Sequence, residues 1–295
     1  MLNEKEFKIL TYLLDNKQGV TQNKIAKGTG LSVGSVNKTV NYLIESNCIS
    51  NYNVTDKGLE ALEPYRVQNA CFMAAGFGSR LVPITLNTPK PLVRVRGKRI
   101  IDSLLDACVE AEIPNIYIVR GYLKEQFDQL LEKYPMIHFI DNPLYNETNN
   151  ISSALLLGDK ISNSYMFEAD LLLSNSKLIT KYQYVSNYLG IYKERTDDYI
   201  FKMKNERIVG GGIGGFNCYQ VVGISYWNRQ DGLNLRNNIE NVFYNVPGGK
   251  EKFFGSCVDY TKTYLTVRPC TDADVVEIDT FRELQRLDPA YRVEL

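Results

Sequence analysis

The chain has 295 residues, and its 34 basic residues balance 34 acidic ones. That length accommodates about two domains at ~150 residues each, and zero net charge excludes a strongly basic nucleic-acid coat or an acidic tail. A single histidine, His138, leaves too little material for a Ser-His-Asp hydrolase or a multi-histidine metal site. No apolar run reaches the ~18 residues that cross a bilayer, so no membrane partner is expected. The opening MLNEKEFKIL lacks the apolar stretch of a signal peptide. Six scattered cysteines without a CxxC spacing predict free thiols and a reducing, cytoplasmic setting.

Residues 1–65 read as a small helical domain. Phe7, Leu10, Leu13 and Leu14 recur at helical spacing. A second helix is expected after Thr21, whose hydroxyl can cap it, with Ile25 and Ala26 turned inward. Gly30-Leu31-Ser32 then turns into a third helix, with Val33, Val36, Val40 and Leu43 on one stripe. Ile49 to Val54 alternates weakly, and Thr55-Asp56-Lys57-Gly58 marks a turn between a short hairpin and one more helix. Glu63-Pro64-Tyr65 is the expected boundary, because a residue before proline avoids the helical region.

Residues 66–295 follow a different pattern. Strand-like runs at Cys71–Ala74, Ile116–Val119, Ile137–Ile140 and Tyr165–Phe167 alternate with helical stretches. Ile101, Leu104, Leu105 and Cys108 share one helix face, and Leu123, Phe127, Leu130 and Tyr134 share the next. Such alternation predicts an α/β fold with a mostly parallel sheet covered on both sides. Ligands of such sheets sit beyond the carboxyl ends of the strands. His138 lies within an apolar strand run and is expected in the core.

The strongest chemical signal follows the first of these strands. In Ala74-Ala75-Gly76-Phe77-Gly78-Ser79-Arg80 the glycines let backbone N–H groups approach an anion closely. Arg80 and Lys90 add fixed positive charge to the same mouth, and Lys90 stands between two prolines. The loop lacks the GxxxxGK[ST] of a P-loop and the third glycine of a dinucleotide fingerprint. Asp170 ends the strand that begins at Tyr165. Period-2 spacing puts Glu277 and Asp279 on one face of a later strand.

The string AAGFGSRLVPITLNTPKPLV closely resembles the signature of nucleoside-triphosphate transferases that make nucleotide-sugars and CDP-alcohols. GYLKEQFDQLLEKY, YNETNNISSALLL, NSYMFEAD and VEIDTFREL narrow the resemblance to bacterial choline-phosphate cytidylyltransferases of the LicC type, over roughly residues 69–288. The run TQNKIAKGTGLSVGSVNKTVNYLIESNCI resembles the helix-turn-helix of winged-helix regulators, and NVTDKGLEAL resembles the wing and following helix.

These resemblances imply a Rossmann-like nucleotidyltransferase fold behind a winged helix-turn-helix domain. They imply Lys90 and Arg80 on the reacting phosphates, and Asp170 and Asp279 as ligands of Mg²⁺, an ion that prefers oxygen donors. Glu168 stands where an aspartate is expected and is equally consistent with a structural role. Ala74, Ala75, Gly76, Gly78, Ser79, Tyr122, Asn149, Asn150 and Ser153 are implied at the nucleotide, the two asparagines and the serine being equally suited to capping the helix that follows. Lys193, Tyr199, Phe253, Phe254 and Glu277 are implied at the acceptor, where aromatic faces suit a quaternary ammonium.

The reaction so implied is CTP plus phosphocholine giving CDP-choline and pyrophosphate. The alternatives are another acceptor (a sugar 1-phosphate, phosphoethanolamine or an aminophosphonate) or a transcription regulator with a transferase-like sensor domain. Duplex DNA is the expected partner of residues 21–58, bound by a homodimer. One departure bears on the acceptor: Phe253-Phe254-Gly255 stands where the resembled enzymes carry a Tyr-Trp-Asp run, which leaves Asp259 as a substitute acid.

Overall fold

Capping side chains set the helix starts of the N-terminal unit. In the computed structural model, which describes residues 1–292, helix α1 (Glu4–Asp15) begins at Asn3, whose side chain accepts from the Lys5 and Glu6 amides. Thr21, Ser32 and Thr55 likewise cap α2 (Gln22–Thr29), α3 (Val33–Glu45) and α4 (Asp56–Leu62). Each such cap contributes ~0.5–2 kcal/mol, a sizeable share for helices this short. The hairpin β1 (Ile49–Ser50) and β2 (Asn53–Val54) precedes α4. Phe7, Leu10, Leu13, Ile25, Val36, Val40, Leu43 and Leu62 form one apolar core.

One residue, and the reason given for the boundary, depart from expectation here. Val33, the first residue of α3, is exposed rather than part of the buried stripe, because it sits a turn ahead of the helix's contact with its neighbours. The Glu63-Pro64 step does not break the helix either. Glu63 keeps helical angles (φ −55°, ψ −36°), and Glu63–Tyr65 continues α4 as a 3₁₀ turn. Proline at the second position of that turn gives up an N–H that needs no partner there. The unit comprises Met1–Arg66 with Tyr182–Tyr184.

The larger unit, Val67–Lys181 and the described chain from Val185 onward, is built on β3 (Asn69–Ala74). After it come the short hairpin β4 (Arg94–Val95) and β5 (Lys98–Arg99), α5 (Ile100–Glu110), β6 (Asn115–Arg120), β7 (Ile137–Asp141) and α6 (Ile151–Leu157). Then follow β8 (Ser164–Glu168), β9 (Leu171–Leu173), the long pair β10 (Asn187–Lys204) and β11 (Arg207–Trp227), and α7 (Arg229–Asn245). β12 (Thr266–Cys270), β13 (Val275–Glu277) and α8 (Phe281–Leu287) complete it.

Seven strands form the central sheet in the order β10-β12-β11-β8-β3-β6-β7. β8, β3, β6 and β7 run parallel to one another, whereas β11 is antiparallel to β8 and β10. β3 is buried along nearly its whole length, as expected of a strand covered on both faces. Ile101, Leu104, Leu105 and Cys108 of α5 pack against Phe72, Ile116 and Ile118 in one core. On the other face α6 and α7 bring Ile151, Ala154, Leu235 and Ile239 to Cys71, Met166 and Trp227.

Lys124–Glu132 is a 3₁₀ helix rather than an α-helix. Its three-residue period stacks Phe127 and Leu130, both buried, and leaves Leu123 half-buried before it. His138 is exposed rather than in the core, because β7 is an edge strand and the alternation there turns the imidazole outward against Tyr117. Among the described residues no helix is long and apolar enough to cross a membrane, and the six cysteines are free thiols.

Candidate active site

The carboxyl ends of β3 and β8 open into a cleft of about 980 Å³ within the larger unit. One wall is the loop after β3. Gly78 has φ +63°, and a side chain there would bring a Cβ within 2.8 Å of Lys90 Cβ, so only glycine lets the loop close on the lysine. Thr85 Oγ1 donates to the Gly78 carbonyl at 2.9 Å and fastens the turn. Beneath it Leu81, Val93, Val95, Ile100, Ile278 and Leu284 form a separate small core, which anchors the segments carrying Arg80, Lys90 and Asp279.

Lys90 sits in a 3₁₀ turn between Pro89 and Val93, and its side chain is only 10% exposed. The ammonium donates to Asp170 Oδ2 at 2.8 Å and to Asp279 Oδ1 at 2.9 Å. Burial disfavours its charge, but the two aspartates outweigh burial and hold its pKa above the ordinary lysine value. Arg80 donates to the same Asp279 Oδ1 at 2.7 Å while 66% of its side chain stays exposed. Burial opposes the charge on Asp279 as well, and the lysine and arginine beside it keep its pKa lowered. The Ile278 amide donates to the Asp170 carbonyl at 3.1 Å, and β13 pairs with β9. That pairing brings the two aspartates, far apart in sequence, to one cation.

Glu168, Asp170 and Glu277 form a second grouping, each offering an oxygen within 4.8 Å of the others. Burial first, then the Asp170 charge, pushes Glu168 up to about 7 and Glu277 up to about 8. Glu277 is open to the water of the cleft, yet the concave wall encloses it closely enough to penalise its charge. Asp170 Oδ1 is buried without a hydrogen-bond partner. Such a donor set, all oxygen, mutually repelling and with one acceptor unsatisfied, fits a small divalent cation. The two aspartates expected as ligands, Asp170 and Asp279, thus share the Lys90 ammonium, and Asp170 also joins the glutamates. Glu168 owes its position to Gly223 opposite it on β11, where a Cβ would lie 2.5 Å from Glu168 Oε2.

Of the residues expected at the nucleotide, Ala74, Ala75, Gly76, Gly78, Ser79, Asn149, Asn150 and Ser153 line the cleft. The capping alternative fails for Asn150: it makes no side-chain cap, and its Oδ1 accepts from the Phe254 amide at 2.9 Å instead. Asn142, which the sequence did not single out, donates to Ser152 and Ser153 Oγ and so orients α6, whose N-terminus lines the cleft. Tyr122 does not line it. Its amide donates to the Ala75 carbonyl and its hydroxyl to the Leu86 carbonyl, so it buttresses the glycine loop from behind.

Of the residues expected at the acceptor, Tyr199, Phe253, Phe254 and Glu277 line the cleft. Tyr199 and Phe253 meet edge to face at 6.2 Å. Lys193 does not line it, because Asp272 holds its ammonium at 2.7 Å. Asp259 is likewise taken up, by Thr261 and Lys262.

Comparison with known proteins gives matches in both parts of the chain. Residues 69–203 match the family described as Nucleotidyl transferase, and residues 2–50 match Winged helix-turn-helix DNA-binding. The chain is 34% identical over 229 residues to a 2-aminoethylphosphonate cytidylyltransferase of Lancefieldella rimae, covering 76% of this chain and 93% of that protein. It is 35% identical to a choline-phosphate cytidylyltransferase of Haemophilus influenzae over 55% of this chain and 70% of that one. Among solved structures, the CTP:phosphocholine cytidylyltransferase of Streptococcus pneumoniae superposes over 77% of this chain and 100% of that chain, with a TM-score of 0.71 at 27% identity.

Proposed function

The chain belongs to the nucleotidyl transferase family, on its cytidylyltransferase side, and from that premise we propose that it joins CMP from CTP to a short zwitterionic acceptor, 2-aminoethylphosphonate ahead of phosphocholine. The observation that carries the reaction is Lys90 held between Asp170 and Asp279 beside the glycine loop, at the ligand edge of the sheet. The acceptor choice draws support from the relative matched over 93% of its length. It also draws on Gly255, which leaves the aromatic wall without the acid of the resembled enzymes. The exposed Tyr199–Phe253 pair keeps phosphocholine as the second acceptor to be tested.

The acceptor's phosphonate or phosphate oxygen attacks the α-phosphorus of CTP. The new P–O bond forms as the bond to the bridging α–β oxygen breaks, and that electron pair leaves with pyrophosphate. The attacking oxygen is already anionic, so the chain needs no general base, consistent with an exposed His138 far from any catalytic duty. The glycine loop offers backbone N–H donors to the triphosphate. Arg80, with donors beyond the one given to Asp279, binds phosphate oxygens, and Lys90 fixes positive charge at the point where negative charge develops. Glu168, Asp170 and Glu277 would hold Mg²⁺, which would neutralise phosphate charge when bound.

The winged helix is read as a DNA-binding unit, with α3 presenting Asn37, Lys38 and Asn41 on its exposed side and the half-buried Ser35 beside them. The test of the catalytic reading is pyrophosphate release with CTP, ATP, GTP and UTP against 2-aminoethylphosphonate, phosphocholine, phosphoethanolamine and a sugar 1-phosphate, with Mg²⁺ or EDTA. CTP with 2-aminoethylphosphonate is expected to give the highest kcat/KM. Release with no pair, or preference for the sugar phosphate, overturns the proposal.

A further inference from the structure

The β10–β11 ribbon does not run straight out from the sheet. Ile200 pairs with Gly212 on one side and with Gln220 on the other, and Phe201 pairs with both Gly211 and Tyr219. The outer part of the ribbon therefore folds back on its own base, and the bend at residues 196–199 is held from two sides. This return brings Asp198 and Tyr199 to the cleft wall, where Tyr199 meets Phe253 beside Gly255.

Asp198 is positioned by a short chain of hydrogen bonds. Thr196 Oγ1 donates to Gln220 Oε1 at 2.9 Å, Gln220 Nε2 donates to Asp198 Oδ2 at 3.1 Å, and the Tyr199 amide donates to Asp198 Oδ1 at 2.9 Å. Two of the roughly four acceptor positions of a carboxylate are thereby used. Among the described residues no lysine, arginine or histidine forms an ion pair with it, in contrast to Asp259 and Asp272 nearby, which Lys262 and Lys193 occupy. An oriented, unpaired carboxylate on a substrate wall, next to two aromatic rings, is suited to a cation.

Resting on the acceptor class proposed above, we infer that Asp198 receives the acceptor's ammonium group, supplying from the ribbon the acid that position 255 lacks. A primary ammonium donates hydrogen bonds to the free lone pairs, whereas a trimethylammonium has no N–H to give. The residue thus favours an aminoalkyl acceptor over a choline-like one.

The test is calorimetric titration of the full chain, loaded with Mg²⁺ and α,β-methylene CTP, with 2-aminoethylphosphonate and with ethylphosphonate, which lacks the amine. The wild type is expected to bind the aminated ligand ~10–100-fold more tightly, the range of one charge-assisted hydrogen bond. In D198N that preference is expected to fall to about threefold or less, with the affinity for ethylphosphonate serving as the control for an intact cleft. No preference in the wild type, or an equal loss for both ligands in D198N, overturns the assignment. Preferential binding that depends on Asp198, without pyrophosphate release from CTP itself, supports the subsite and refutes only the catalytic reading.

Discussion

The two ends of the cleft are built on different physical plans. At the phosphate end, Lys90, Arg80, Asp170 and Asp279 lie within 2.9 Å of one partner or another, on segments pinned by a small core of their own. At the acceptor end the rings of Tyr199 and Phe253 are about half exposed (52% and 49%) and rest on a folded-back ribbon and a short loop. The first arrangement stabilises charge that develops at fixed atoms, which rewards preorganisation. The second selects a small molecule by shape and cation contact, which a ribbon can vary without disturbing the sheet. Chemistry and specificity are therefore separable here, and substitutions at the two ends should have different kinetic signatures.

The largest effect is expected at the phosphate end. Asp170→Ala and Lys90→Ala are each expected to lower kcat by ~10²–10³, the usual loss on removing one preorganised charge-stabilising group. Pyrophosphate release at saturating CTP, acceptor and Mg²⁺ measures it. Near-wild-type turnover in either variant would show that the charge-dense end is not where the reaction is stabilised, and the comparison would collapse.

The same end should carry a pH signature. Glu277 rises from its ordinary 4.5 to about 8 in the folded chain, and Glu168 rises in the same sense to about 7. Between those limits the folded state holds more protons than the unfolded one, so stability falls as pH rises through ~5 to ~8. Trp227, the only tryptophan, is buried in the core of the larger unit, so its fluorescence follows the unfolding of that unit. Urea midpoints in EDTA are expected to fall across this window, and Glu277→Gln is expected to flatten the slope. A flat wild-type profile would mean that burial and mutual repulsion do not raise these carboxylates as the geometry requires.

How much of each end was legible in the sequence follows from the same division. Gly78 and Lys90 stand out locally, as a glycine turn and a lysine between prolines, but their roles and that of Asp170, which lies in the turn after β8, are legible only through the family resemblance. Asp279 was readable as a site residue, but its bond to Lys90 and Arg80 depends on the β13–β9 pairing, which no local pattern encodes. Glu168 reads two ways in the sequence for a similar reason, since Gly223, the residue that makes room for it, stands on a different strand. At the acceptor end Asp198 escaped notice because a ribbon that pairs with its own base is a non-local event. Lys193 pairs with Asp272, a partner that no local pattern announces. The apolar run around His138 does not reveal that its strand lies at the sheet edge.

A smaller effect is expected at the acceptor end. Tyr199→Ala removes one aromatic face worth ~0.5–2 kcal/mol toward a cation, or roughly twofold to thirtyfold in acceptor KM. The KM for CTP is expected to change by less than about twofold, and kcat little. Initial rates over an acceptor-by-CTP concentration grid separate these terms. A fall in kcat comparable to that of Lys90→Ala would mean that the two ends act as one unit, and would break the separation.

The smallest effect concerns the winged helix, where charge again sets the scale. Residues 1–66 contain 8 basic and 7 acidic residues, a net charge of +1. Affinity for duplex DNA driven by phosphate contacts falls with salt at a slope of ~0.9 per contact. With so little surplus charge, the full chain is expected to show a shallow slope of about two to four, and sequence preference should come from Asn37 and Asn41 on the exposed side of α3. Lys38→Ala is expected to reduce the slope by ~1 and to weaken binding to all sequences alike. Asn41→Ala is expected instead to narrow the gap between preferred and random duplexes while leaving the slope unchanged. Fluorescence anisotropy across a salt series, on duplexes enriched by selection from random fragments, measures both. Selection that enriches no sequence at low salt would remove base readout from α3, and the helix-turn-helix would then serve protein–protein contact alone.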